Sequence, residues 1–302
     1  FGRGKFPQGR RRGAHPPFGV QRGRPGIRAE SRPGSGHGML KLDKEGIRRE
    51  IARYVGLHRA PFPGDEPLTG FASALDPLFQ KLRKAVSPSH LLPEDLLPSA
   101  QSVVAFFIPF DRAVARSNVS GGPASREWAR AYVDTNRLIE GVNRHMAALF
   151  RLSGYGAAVT PATHNFDPAR LLSDWSHRHV AYIAGLGRFG ANHMLITEKG
   201  CCGRLGSFVT TLPLDGDERP RRESCLHLNG NPCLRCVGRC VGEALSPVGF
   251  DRAKCYAVCR ENEERHRDLG KADVCGKCLV GLPCSWTDPV SAVSNRRGPD
   301  PA

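Results

Sequence analysis

Long hydrophobic runs are what this sequence most lacks. Its longest strongly apolar stretch, residues 103–109, is far shorter than the roughly 20 residues a membrane-crossing helix needs, so an integral membrane protein is not expected. Acidic residues are also scarce: 29 Asp and Glu face 44 Lys and Arg, for a net charge of +15. Methionine is rare, and the first is Met39. No continuous apolar segment precedes it, so neither a secretory signal nor a twin-arginine signal is expected, and the cytoplasm is the expected compartment. Against these absences, 302 residues with 40% apolar content are ample for a buried core.

The positive charge is concentrated at one end. Residues 1–38 hold nine basic side chains, from Arg3 to Arg32, against the single acid Glu30. The segment is rich in Gly and Pro and has no hydrophobic periodicity, so it buries too little apolar surface to offset the entropy of ordering. It is expected to be a disordered basic arm, either upstream or tag sequence or an RNA-binding extension. An ordered domain is expected from Met39 onward.

From there the pattern is mixed. Leu40, Ile47, Ile51 and Val55 recur at helical spacing, and short helical pieces are expected over 72–86 and 93–97. Residues 102–110, SVVAFFIPF, form a compact β-branched and aromatic run that fits a buried strand. Residues 125–153 form a long amphipathic helix ending at Gly154, a suitable C-cap, and 155–162 a second strand. Helix, strand, long helix, strand implies an α/β or α+β sandwich. Domains are expected at 39–214 and 215–290, followed by a flexible tail at 291–302.

Cysteine is the one plentiful chemical group: nine of the eleven lie within residues 225–284. Their spacing is Cys225-x7-Cys233-x2-Cys236-x3-Cys240, Cys255-x3-Cys259 and Cys275-x2-Cys278-x5-Cys284. A [4Fe–4S] cluster takes four thiolates, commonly three from a tight run and a fourth from a distant one. That exchange assigns Cys225, Cys233, Cys236 and Cys284 to one cluster, and Cys240, Cys255, Cys275 and Cys278 to the other. Cys259 is then a spare, or a competitor for Cys255. A single zinc ion is the alternative for two C-x2-C pairs, but it uses only four of the thiols. A disulfide framework belongs to small secreted domains.

The segment AGLGRFG, 184–190, adds a glycine-rich turn where backbone can approach a flat or anionic ligand. Gly185-x-Gly187-x-x-Gly190 has dinucleotide-fingerprint spacing. Residues 171–183 before it look helical rather than extended, however, and no well-placed acid follows about 20 residues on, so a Rossmann site is rejected.

Taken together, AGLGRFGANHMLITEKGCCGRLGSFVTTLPL and the cysteine segment resemble the epoxyqueuosine reductase family of queuosine biosynthesis and its relatives, the reductive dehalogenases. The resemblance covers about 102–286. It implies a nitroreductase-like α/β domain holding base-off cobalamin, followed by a ferredoxin-like module whose two [4Fe–4S] clusters pass electrons to the cobalt. By position, Asn192, Leu195 and Leu205 would line the corrin with Gly185, Gly187 and Gly190. It also implies a low-potential donor such as ferredoxin or flavodoxin. This chain departs from the family at three places. Leu171 stands where the family carries its proton-donating aspartate, leaving Asp167, Asp174 and His177 as candidate acids. No proline follows Cys240 or Cys284. The sequence has no counterpart of the C-terminal extension through which longer members grip tRNA. Two other readings are a non-catalytic ferredoxin-like electron carrier and a zinc-bearing nucleic-acid-binding protein that uses the basic arm.

Overall fold

The computed structural model describes residues 42–59, 64–162 and 166–296. The basic arm at 1–38 and most of the tail beyond 291 lie outside the described residues. The described residues form one compact unit.

Its centre is a four-stranded sheet of β1 (Leu68–Ser73), β2 (Ser102–Pro109), β3 (Ala157–Val159) and β6 (Gly203–Thr210), ordered β1-β2-β6-β3 and antiparallel throughout. β2 is buried at all eight positions because helices cover both faces. Side chains alternate across a strand. Val103 and Ala105 therefore face α2 (Pro77–Ala85) and α6 (His177–Ile183). Val104, Phe106 and Ile108 pack instead with Ile47 and Ile51 of α1 (Lys44–His58) and with Ile139, Val142 and Met146 of α5 (Arg126–Leu152). The fold is mixed α/β with small antiparallel sheets.

Local chemistry sets the element ends. Asp43 caps α1 by accepting from the Gly46 amide at 2.8 Å, and Ser125 caps α5 by accepting from the Trp128 amide at 3.1 Å. After α5 the chain leaves the helix through Gly154 at φ +83°, the left-handed turn that glycine takes without strain.

Short pieces complete the unit. They are α3 (Pro93–Leu96), α4 (Arg112–Ser117), the ribbon of β4 (Gly187–Phe189) and β5 (Leu195–Thr197), α7 (Arg235–Gly238), the ribbon of β7 (Leu245–Ser246) and β8 (Gly249–Phe250), α8 (Arg252–Arg265) and α9 (Pro289–Arg296).

Three expectations change. The strand expected over 155–162 spans only Ala157–Val159. The helix expected over 72–86 starts only at Pro77, because Ala72 and Ser73 belong to β1. There Gly70 lets α6 approach, since a Cβ would stand 2.3 Å from the Ala184 carbonyl. The helix expected over 171–183 is confined to its last seven residues. Leu171 has φ +53°, which no right-handed helix accommodates, and the chain turns back there through paired bonds between Asp167 and Leu172.

Candidate redox site

Nine thiols stand in the walls of two cavities. The first, about 20 Å³, is lined by Cys225, Cys233, Cys236 and Cys284. The second, about 290 Å³, is lined by Cys240, Cys255, Cys275 and Cys278, with Cys259 as a fifth. The chain reaches both from several elements. Cys236 lies on α7, Cys240 just after it, and Cys255 and Cys259 one turn apart on α8. The loop carrying Cys275, Cys278 and Cys284 is tied to the sheet domain by the amides of Cys201 and Cys202, which donate to the carbonyls of Cys284 and Ser285 at 3.0 and 3.2 Å.

The thiols sense one another. Cys236 is pushed up to about 11 by burial and then by the neighbouring Cys284 and Cys225. Burial also raises Cys278, helped by Cys275, Cys255, Cys240 and Cys236. The raised value of Cys284 comes first from its contact with Cys201. On α8, a hydrogen bond from Cys259 brings Cys255 down to about 7, and the same contact raises Cys259. Cys255 is among the groups that act on Cys278, whereas Cys259 is not. Cys259 in turn feels Cys275, so both thiols of α8 face the second set. Among the described residues, no three His, Cys, Asp or Glu side chains converge at single-ion spacing.

A third cavity, about 420 Å³, adjoins the second. Tyr132, Arg178, Met194, Arg204, Cys259 and Asp273 stand in both walls. Phe107, Trp175, Leu195 and Leu205 give the third cavity an apolar lining, and Arg178, Arg204 and Arg252 make it basic. Burial lowers Arg178, and the positive charges of Arg252 and Arg204 lower it further. The Arg178 guanidinium donates to the His193 carbonyl at 2.8 Å. The Arg204 guanidinium stacks 4.2 Å from the Tyr132 ring centroid and donates to Asn136 Oδ1 at 3.0 Å.

The residues expected to line a corrin are dispersed. Leu195 and Leu205 border the third cavity, Asn192 borders both thiol cavities, and Gly190 borders the first. Gly185 and Gly187 border a broad depression of about 1400 Å³ instead, with Arg48, Lys199 and Asp217. Their lack of a side chain serves chain packing: a Cβ on Gly187 would stand 2.1 Å from the Ile196 carbonyl, and one on Gly185 would stand 2.7 Å from that of Glu218.

The candidate acids separate as well. Asp167 accepts from the amides of Ala169 and Arg170 in its own turn. Asp174 accepts from the Ser89 hydroxyl at 2.8 Å. Neither lines the third cavity. His177 does line it, but it is 7% exposed and both ring nitrogens are engaged: Nε2 donates to the Pro161 carbonyl at 2.9 Å and Nδ1 meets Ser207 Oγ at 2.8 Å. The same hydroxyl accepts from Trp175 Nε1 at 2.9 Å. Sequence reasoning missed this Trp175–Ser207–His177 chain, and also the contact of Cys201 with Cys284.

No protein-family model and no curated protein matches the chain. Solved structures share its fold. One is a reductive dehalogenase whose structure suggests a mechanism for B12-dependent dehalogenation, at 19% identity and a TM-score of 0.54, covering 88% of this chain and 35% of that one. Another is the catabolic reductive dehalogenase NpRdhA with 3-bromo-4-hydroxybenzoic acid, at 19% identity and a TM-score of 0.53, covering 85% and 34%. Epoxyqueuosine reductase from Bacillus subtilis aligns at 18% identity and a TM-score of 0.48, covering 79% of this chain and 66% of that one. The chain thus spans a little under two thirds of the reductase and about a third of the dehalogenases. At these identities the dehalogenase likeness shows a common fold. Among the described residues no helix is long and apolar enough to cross a membrane.

Proposed function

We propose that the chain is an iron–sulfur oxidoreductase in which two [4Fe–4S] clusters feed electrons to an acceptor held in the basic third cavity. The observation that carries this reading is the shared wall. A cavity lined by thiols opens on one lined by Leu195, Leu205 and three arginines, with Tyr132, Arg178 and Arg204 common to both.

The residues fit iron–sulfur clusters on two counts. The donor sets are all-thiol and number four each, with Cys259 to spare. Trp128, 1% exposed in the wall of the second cavity, has a buried Nε1–H without a hydrogen-bond partner, and cluster sulfur is an acceptor for such a donor. Bound clusters supply one-electron transfer at potentials the protein tunes. Cys225, Cys233, Cys236 and Cys284 would hold the distal one, and Cys240, Cys255, Cys275 and Cys278 the one beside the acceptor.

Cobalamin suits the third cavity chemically. The apolar lining of Phe107, Leu195 and Leu205 offers a surface for a macrocycle, and Arg178, Arg204 and Arg252 offer charge for its phosphate. When bound, the cofactor would supply the difficult reduction. The chain's own part is to bind and orient it, exclude water with Trp175 and Met194, and bring in a proton. Among the candidate acids, His177 lies at this cavity, while Asp167 and Asp174 stand outside its lining. The substrate class is an oxygenated or halogenated carbon compound, small or nucleoside-like, and the donor is a low-potential ferredoxin or flavodoxin.

The test is anaerobic reconstitution with iron, sulfide and cobalamin, followed by gel filtration and cobalt analysis. Retained cobalt that is lost in Leu205→Trp, with iron unchanged, supports the reading. Clusters that reduce and reoxidise while cobalt is never retained would leave a plain electron carrier.

A further inference from the structure

Lys277 lies inside the Cys275-Gly-Lys-Cys278 loop and is 1% exposed, which ranks it among the largest fully buried side chains of the molecule. Its ammonium donates to two backbone carbonyls, Asn118 at 3.0 Å and Ser120 at 2.7 Å. Among the described residues no carboxylate pairs with it. A buried charge without a counter-charge is costly, and two neutral acceptors do not supply one. The groups at hand that become anionic on binding metal are cysteines, for Lys277 lines the second cavity with Cys240, Cys255, Cys275 and Cys278.

A second donor stands on the same loop. Gly276 adopts φ +71° and presses so closely on Trp128 that a Cβ there would stand 2.5 Å from its Nε1. That indole N–H is the partnerless one. The first cavity has no such equipment. Apart from its thiols, Asn192 and the exposed Arg235, its lining is apolar or glycine: Ala191, Ile196, Leu226, Leu282 and two prolines are prominent.

We propose that Lys277 and the Trp128 indole N–H form a potential-setting pair that makes the Cys240/Cys255/Cys275/Cys278 centre the easier of the two to reduce. The inference rests on the iron–sulfur reading above. Four thiolates around a [4Fe–4S] core leave the centre anionic, and one-electron reduction adds a further negative charge. A fixed cation and a hydrogen bond to sulfur both stabilise the reduced form more than the oxidised one. Electrons entering at the first centre then run downhill to the second, which adjoins the basic cavity. The pair positions the potential and touches no substrate.

The experiment is an EPR-monitored redox titration of the anaerobically reconstituted full chain, comparing wild type with Lys277→Met, Lys277→Arg and Trp128→Phe. Lys277→Met is expected to lower the reduced-to-oxidised ratio of one centre at least tenfold at fixed potential, about 59 mV for one electron, while the other centre stays put. Trp128→Phe is expected to move the same centre in the same direction by less, and Lys277→Arg to stay near wild type. If Lys277→Met fails to load that centre, loading by Lys277→Arg supports the need for charge, and equal failure of both variants overturns the Lys277 part in favour of packing. Two wild-type centres whose potentials ignore both Lys277→Met and Trp128→Phe overturn the proposal. A wild-type protein that binds no iron overturns the iron–sulfur reading itself.

Discussion

The two thiol cavities differ in what surrounds their sulfurs, four in the first and five in the second. The first is narrow and mostly apolar; burial and its neighbours hold Cys236 up, and the contact with Cys201 together with burial holds Cys284 up. The second is wider, has Arg178, Arg204 and Lys277 in its wall, and shares much of that wall with the basic pocket. The difference teaches that donor count alone does not assign a role to a metal site. On the proposed reading, charge and access around the donors separate a centre suited to receiving electrons from one suited to delivering them.

The largest expected effect breaks the pair apart. Cys278→Ala should lose about half of the iron and sulfide, roughly four of each, with the first centre intact, and Cys236→Ala should do the reverse. Iron and sulfide analysis checks both. If either substitution empties both cavities, the two sets do not act as independent cages.

A smaller effect concerns the pocket beside the second cavity. His179 is brought down to about 4, chiefly by burial, with Arg178, His90 and Arg252 adding to it. The folded state therefore takes up its proton later than the unfolded chain, whose ordinary value is about 6.5. The associated stability is fully present above pH ~6.5 and is lost as pH falls towards 4, by about 3 kcal/mol at most. An NMR titration of the His179 ring should show no protonation until near that lower value. A midpoint near 6.5 would contradict the burial of this wall.

Next comes Ser207→Ala, which strips Trp175 Nε1 of its acceptor and removes the Ser207 contact of His177 Nδ1. The cost should be about 1–3 kcal/mol in urea unfolding, with the first centre's iron unaffected. The smallest effect belongs to Cys259→Ala, which should keep all the iron, whereas Cys255→Ala should lose the second centre. The opposite result would make Cys259 the fourth ligand.

Much of this was legible in the sequence where one force dominates. The 102–110 run read as a buried strand, and Ser125 with Gly154 bounded the long helix. Short gaps account for Cys233 beside Cys236 and Cys275 beside Cys278, but not for Cys284 in the wall with Cys225 or for Cys240 in a different wall from Cys236. What was not legible depends on partners distant in sequence. β1 has too few large apolar side chains to declare itself, since Gly70 is there for α6 to approach. The glycines of 184–190 read as a ligand cradle, yet Gly185 and Gly187 are spent on contact with Glu218 and Ile196. Nothing in the sequence marks Lys277 as buried, because the carbonyls that receive it, those of Asn118 and Ser120, lie far away along the chain.

Metal and sulfide analysis of the anaerobically purified full chain, taken with its EPR spectrum after reduction, tests the central claim most directly. The account predicts about eight iron and eight sulfide per chain, with [4Fe–4S] signals from two centres. A colourless protein carrying zinc, or thiols that hold no metal at all, would contradict it.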